Sequence, residues 1–207
     1  MKKAFVLLFL AVVCLGMAQA AETYKVTADT WVYQFRPDKN YGDGYGWKDI
    51  TDPTKATSSP RIFIGFGGED KKVGLFQFDT ATLKKDKPIK SAYILLYNDQ
   101  AGSAAPIKVD AVLVTKSWKE GEVTYKKIPK ADVTLSTTTL QGAIGLRQPG
   151  KWYKFDVTKA VQAWQGGKPN YGIMLLPQGD SGVDFQFICK EAKGHGGHYP
   201  RLEVNYK

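Results

Sequence analysis

Between residues 151 and 164 the apolar side chains change their period. Tyr153, Phe155 and Val157 alternate with polar neighbours, and Val157, Ala160, Val161 and Trp164 then follow at i, i+3, i+4 and i+7. A strand is predicted to run straight into a short helix. Asp156 or Thr158 can accept the unpaired N–H groups of its first turn, and Gly166-Gly167 offers the positive φ that ends it. An almost wholly apolar strand follows over residues 170–177. Elsewhere the period is that of strands. Residues 24–35 alternate with a change of phase at Asp29-Thr30, which two short strands or one bulged strand would produce. Further strands are predicted over 61–66, 73–78, 91–97, 107–114, 123–125, 183–188 and 201–206. Turn residues at Gly67-Gly68, Asp86-Lys87-Pro88 and Ala101-Gly102-Ser103 separate several of them. Residues 43–60 and 129–150 show no strand periodicity and read as irregular. The expected fold class is all-β: a jelly-roll-like antiparallel β-sandwich of about nine to eleven strands with one short helix.

The first 20 residues stand apart. Lys2-Lys3, an apolar run from Ala4 to about Leu15 and then Ala18-Gln19-Ala20 follow the order of a cleavable secretory signal, too short to span a bilayer. Residues 1–20 are therefore expected to be a leader and 21–207 a single domain, secreted or extracellular, with the periplasm or the cell surface as alternatives. With Lys2 and Lys3 removed, the 29 basic residues fall to 27 against 20 acidic, a net charge of +7. Excess positive charge on an exported chain favours acidic partners. Of the 2 cysteines only Cys189 survives processing, so the fold is expected to rest on its core rather than on a disulfide. Cys189 ends the alternation Phe185-Gln186-Phe187-Ile188, which predicts a buried, inert thiol.

Phe155-Asp156-Val157-Thr158, Val161-Gln162-Ala163-Trp164 and Asn170-Tyr171-Gly172-Ile173 together resemble the C-terminal signature of the DNRLRE-domain family, whose relatives include carbohydrate-binding module family 96. Other segments agree and keep the family's order. They are Ala28 to Tyr33, Asn40-Tyr41-Gly42, Leu75 to Asp79 with Leu83, residues 89–97, Trp118 to Tyr125, and Pro200 to Tyr206. The resemblance covers roughly residues 24–207 and implies a secreted DNRLRE-like β-sandwich domain that binds polysaccharide; activity of its own is not implied. The chain departs from the family in two places. Cys189-Lys190-Glu191 stands where a Ser-Arg-Glu-like triplet is frequent, and Gln77 stands where Arg is frequent. Lysine keeps the charge but loses the planar fork that would grip a carboxylate with two hydrogen bonds. Against the family, residues 43–60 look like an insertion.

Polysaccharide binding needs aromatic faces for sugar C–H surfaces, and uronates add a need for basic partners. Such residues gather in turns at three places: Lys39, Tyr41, Tyr45, Trp47 and Lys48; Arg147 with Lys151; and Lys190, Lys193, His195 and His198. Lys39, Tyr45, Trp47, Lys48, Lys190, His195 and His198 are the expected ligand contacts. Trp118 and Trp164 fit core positions, whereas Trp152 lies on the opposite side of its strand from Tyr153 and Phe155 and suits core or sugar platform equally. His195 and His198 are spaced to share an ion, but beyond Glu191 no carboxylate or thiol pattern accompanies them, so a metal is not expected there. Asp43, Asp49 and Asp52 could gather around a structural calcium, although their spacing is not that of an EF-hand loop. No other cofactor is expected.

Catalysis finds little footing. Gly179-Asp180-Ser181-Gly182 reads as a tight turn, both histidines follow it in a Gly-rich segment, and no Gly-x-Ser-x-Gly elbow occurs. The Arg-rich strand and Gln-Ile-His motif associated with jelly-roll polysaccharide lyases are absent. The chain thus reads as a non-catalytic binder of acidic polysaccharide or a cell-surface polymer. Nucleic acid is not expected, because the charge is moderate and no recognised motif occurs. The rival reading is a structural protein of the cell surface or matrix that associates with its own copies.

Overall fold

A change of partner part-way along the first strand closes the sandwich. In the computed structural model, which describes residues 20–42, 60–101, 105–141, 150–180, 183–195 and 197–207, β1 (Glu22–Tyr33) is one strand with a register shift between Val26 and Ala28. This is the bulged alternative, two residues before the expected position. The strands β2 (Arg61–Gly67), β3 (Asp70–Phe78), β4 (Ile89–Ala101), β5 (Ile107–Val114) and β6 (Ala131–Leu140) follow. After them come β7 (Lys151–Asp156), α1 (Thr158–Gln165), β8 (Ile173–Gln178), β9 (Asp184–Ile188) and β10 (Arg201–Tyr206). The order β1-β10-β4-β9-β2-β3-β8-β5-β6 joins them antiparallel, with β7 on β4. Residues 22–25 of β1 pair β10, and residues 26–33 pair β3. The path therefore returns on itself, and β1 serves both layers of the sandwich.

The main core lies between the layers. Fully enclosed Phe155, Phe185, Phe187, Ile62, Ile94, Leu96 and Leu202 fill it, together with Val157, Ala160, Val161 and Trp164 from α1 and its entry. The helix matches the predicted period, and α1 is the single helix among the described residues. Val157 stands at its N-cap without a side-chain bond there, while Asp156 Oδ1 accepts the Thr158 N–H at 2.9 Å. Thr158 binds elsewhere: its hydroxyl takes the Ala92 N–H of β4 at 2.9 Å. Past the end, Gly167 supplies the positive φ.

A second apolar cluster, Val32, Val73, Leu75, Val112, Val114, Val123 and Met174, holds the other side chains of β1, β3, β5 and β8. Trp118, Tyr125 and Ile128, from the connection between β5 and β6, pack against it. That layer is buried on both sides, which is why β3 and β8 read as nearly continuous apolar runs. The same packing corrects the expected strand at 123–125. Val123 and Tyr125 are apolar because they cover the sheet, while their backbone forms turns such as Lys127 N–H to Thr124 O at 3.1 Å.

The region 129–150, read as irregular, contains a ten-residue strand, β6. It pairs β5 along its length, and only Leu140 is buried in it, so no apolar alternation marks it. Hydroxyls hold its free side. Ser136 Oγ donates to Asp156 O at 2.8 Å and Thr138 Oγ1 to Lys154 O at 3.2 Å, so the edges of β6 and β7 meet through side chains.

Two Asn-Tyr-Gly turns share one design. Asn170 Oδ1 accepts the Gly172 N–H at 3.0 Å while its Nδ2 donates to Phe78 O at 2.9 Å; Asn40 Oδ1 accepts the Gly42 N–H at 3.0 Å while its Nδ2 donates to Glu120 O at 2.7 Å. Gly172 has φ +86°, and a Cβ there would lie 2.2 Å from Phe76 O. Only glycine fits.

Candidate functional site

The alternation that sends Tyr153 and Phe155 inward turns Trp152 and Lys154 of β7 outward. Across the sheet Tyr97 of β4 pairs with Trp152, and on the other side of β4, Arg201 of β10 pairs with Leu95. Trp152 and Arg201 thus stand diagonally across β4, within reach of long side chains. The guanidinium carbon of Arg201 lies 4.1 Å from the Trp152 ring centroid, and Arg201 Nε meets Glu203 Oε1 at 3.3 Å. Tyr97 meets Trp152 edge-on at 5.2 Å. Gly150 makes room for the tyrosine, since a Cβ at that position would lie 2.4 Å from three of its ring and hydroxyl atoms.

The connection from β9 to β10 adds a third ring. His198 N–H donates to His195 O at 3.0 Å, closing a turn in which Gly194 and Gly197 take positive φ. The His198 imidazole then stacks on Tyr97 at 3.9 Å and lies 5.8 Å from Trp152. Tyr97, Trp152, His198 and Arg201 are all half-buried, with Lys151 and Lys154 exposed beside them. Three rings and a guanidinium therefore share one outer face of the sheet. Arg201 and Tyr97 were not singled out by sequence pattern. Their signal was the outward phase of Arg201, Glu203 and Asn205 in β10, which becomes useful only once the strands are paired.

Of the expected contacts, His198 sits in this cluster and His195 in its supporting turn. Lys190 lies at the start of the same connection, where its ammonium binds Glu120 Oε1 at 2.8 Å and Glu191 Oε1. Burial lowers its proton affinity, but the hydrogen bonds to these carboxylates outweigh that and hold it well above the usual lysine range. Lys39 stands elsewhere. It is exposed, 5.5 Å from the ring of Tyr41, which is buried and stacked on Trp31 at 4.0 Å. Phe35, 64% exposed, extends that second row of rings through Tyr33 at 5.8 Å. The expected contacts Tyr45, Trp47 and Lys48, the loop acids Asp43, Asp49 and Asp52, and Arg147 lie outside the described residues. Trp164 and the partly buried Trp118 pack in the two apolar clusters as expected, and Trp118 Nε1 donates to Tyr171 O at 2.8 Å.

An antiparallel sandwich that carries half-exposed rings and a guanidinium on one sheet face has the architecture of a carbohydrate-binding module: rings stack on sugar C–H surfaces, and a planar cation grips carboxylates. The family model of Carbohydrate-binding module family 96 matches residues 20–206, and the chain belongs to that family. This agrees with the relationship to the DNRLRE-domain family read from its motifs. No curated protein matches the chain. Among the described residues no helix is long and apolar enough to cross a membrane.

Proposed function

We propose that the protein is an exported, non-catalytic carbohydrate-binding protein that takes an acidic polysaccharide on the face formed by Tyr97, Trp152, His198 and Arg201. The observation that carries this reading is the Arg201 guanidinium 4.1 Å from a half-exposed Trp152 ring, beside the stacked pair Tyr97 and His198. A neutral glucan needs rings for its C–H faces and hydrogen-bonding groups for its hydroxyls, but no cation. A uronate or sulfated polymer also needs the cation, and Lys151 and Lys154 extend the positive charge along β7. Export rests on the leader pattern of residues 1–20 and accords with the family's ligand class.

The rival reading, a structural building block, would need an open sheet edge. The hydroxyl bonds from Ser136 and Thr138 occupy carbonyls on the facing edge of β7, which weighs against that edge as a ladder for a second copy. The test is a titration with a soluble oligouronate followed by tryptophan fluorescence. Trp152→Ala and Arg201→Gln should each weaken binding by roughly tenfold or more, the effect of losing a central contact, with the melting temperature nearly unchanged. Wild-type affinity in both variants would remove the site from this face.

A further inference from the structure

A second cluster gathers three carboxylates beside the bulge of β1. Asp29 follows the register shift and is 0% exposed; its Oδ2 accepts the Lys190 N–H at 2.9 Å, and its own N–H donates to Glu120 Oε1 at 3.0 Å. Glu191 follows Lys190 in the β9–β10 connection, and Glu120 comes from the connection between β5 and β6. One carboxylate oxygen from each of Asp29, Glu120 and Glu191 lies within 4.8 Å of the others. Lys190 answers one of the three charges by binding Glu120 Oε1 and Glu191 Oε1. Two buried oxygens, Asp29 Oδ1 and Glu191 Oε2, remain without a partner. Asp29 is the buried member, while Glu120 and Glu191 are partly exposed; a buried carboxylate oxygen without a partner is strongly unfavourable, and native folds pair such groups or use them to coordinate a metal.

We infer that Asp29, Glu120 and Glu191 hold a structural calcium ion, which joins the β1 bulge to the β5–β6 and β9–β10 connections. The donors are all carboxylate oxygens, the set that suits a hard cation; zinc would favour nitrogen or sulfur. Calcium takes oxygens at about 2.3–2.6 Å, so two ligands of one ion can stand up to about 5 Å apart, as these do. Magnesium keeps several waters and is usually held by one or two carboxylates, so three converging acids fit calcium better. With Lys190, the three carboxylates carry a net charge of −2, which a divalent ion neutralises. Asn40 Nδ2 braces the Glu120 backbone by donating to its carbonyl oxygen.

The experiment is calorimetric titration of chelator-stripped protein with calcium chloride and with magnesium chloride, alongside thermal unfolding in calcium and in chelator. The expected result is saturable calcium uptake that raises the melting temperature, with magnesium at least roughly tenfold weaker. Asp29→Asn should abolish that uptake and make the melting temperature indifferent to calcium. Should Asp29→Asn fail to fold, Glu191→Gln is the second variant, and at least tenfold weaker uptake is expected of it. Equal melting temperatures of the wild type in calcium and chelator, without uptake, would overturn the inference and leave a proton on Asp29 as the compensation. Full uptake by a folded Asp29→Asn or Glu191→Gln chain would overturn it too, placing the ion elsewhere.

Discussion

Cys189 shows how strongly one side chain's surroundings set its chemistry. Its thiol is 0% exposed, and burial pushes its proton affinity far above the usual thiol range. Only the thiolate reacts with a disulfide reagent, so raising the pH to about 8, near an ordinary thiol's pKa of about 8.5, should not expose it to labelling. In a Cys14→Ser chain, where Cys189 is the sole thiol, the native protein should stay unlabelled by such a reagent and label fully on unfolding. Native labelling at the unfolded rate would contradict the packing at the end of β9. This inert thiol was legible in the sequence, because Phe185, Phe187 and Cys189 share one phase of a strand. Trp152 was legible only by half. Its phase opposite Tyr153 and Phe155 placed it outward, but the neighbours that give that position meaning, Tyr97, His198 and Arg201, arrive from strands and turns remote in sequence.

At the scale of elements, α1 is the case where pattern and structure agree most closely. Its i, i+3, i+4, i+7 spacing put Val157, Ala160, Val161 and Trp164 in the core. Trp164→Ala should cost about 3–5 kcal/mol in urea unfolding, the usual range for emptying a large aromatic site. Trp164→Phe should cost clearly less, because the indole N–H is buried without a partner and its removal forfeits no hydrogen bond. Equal losses in the two variants would mean that ring volume is not what the helix contributes. β6 is the opposite case. A strand whose side chains are mostly exposed and whose free edge is held by serine and threonine hydroxyls has no hydrophobic period to read. The apolar segment 123–125 failed in the reverse direction: burial there comes from covering a sheet rather than from belonging to one.

For the molecule as a whole, the all-β class followed from short alternating runs and their turn residues, but closure did not. β4 pairs with β10, β7 and β9 along its 13 residues, and no periodicity encodes a change of partner. The chain's formal net charge is +9, and Arg201, Lys151 and Lys154 bring part of that charge to the proposed binding face. Binding that depends on such exposed charges should weaken as salt shortens the screening length from about 10 Å at 0.1 M. The most direct measurement is affinity electrophoresis of the purified protein in gels containing alginate, pectin or a neutral glucan, each at low and moderate salt. Retardation by the two acidic polymers, relieved by salt, with little by the glucan, is the expected result; free migration in every gel, or equal retardation by the glucan, would contradict an acidic-polysaccharide site on this face.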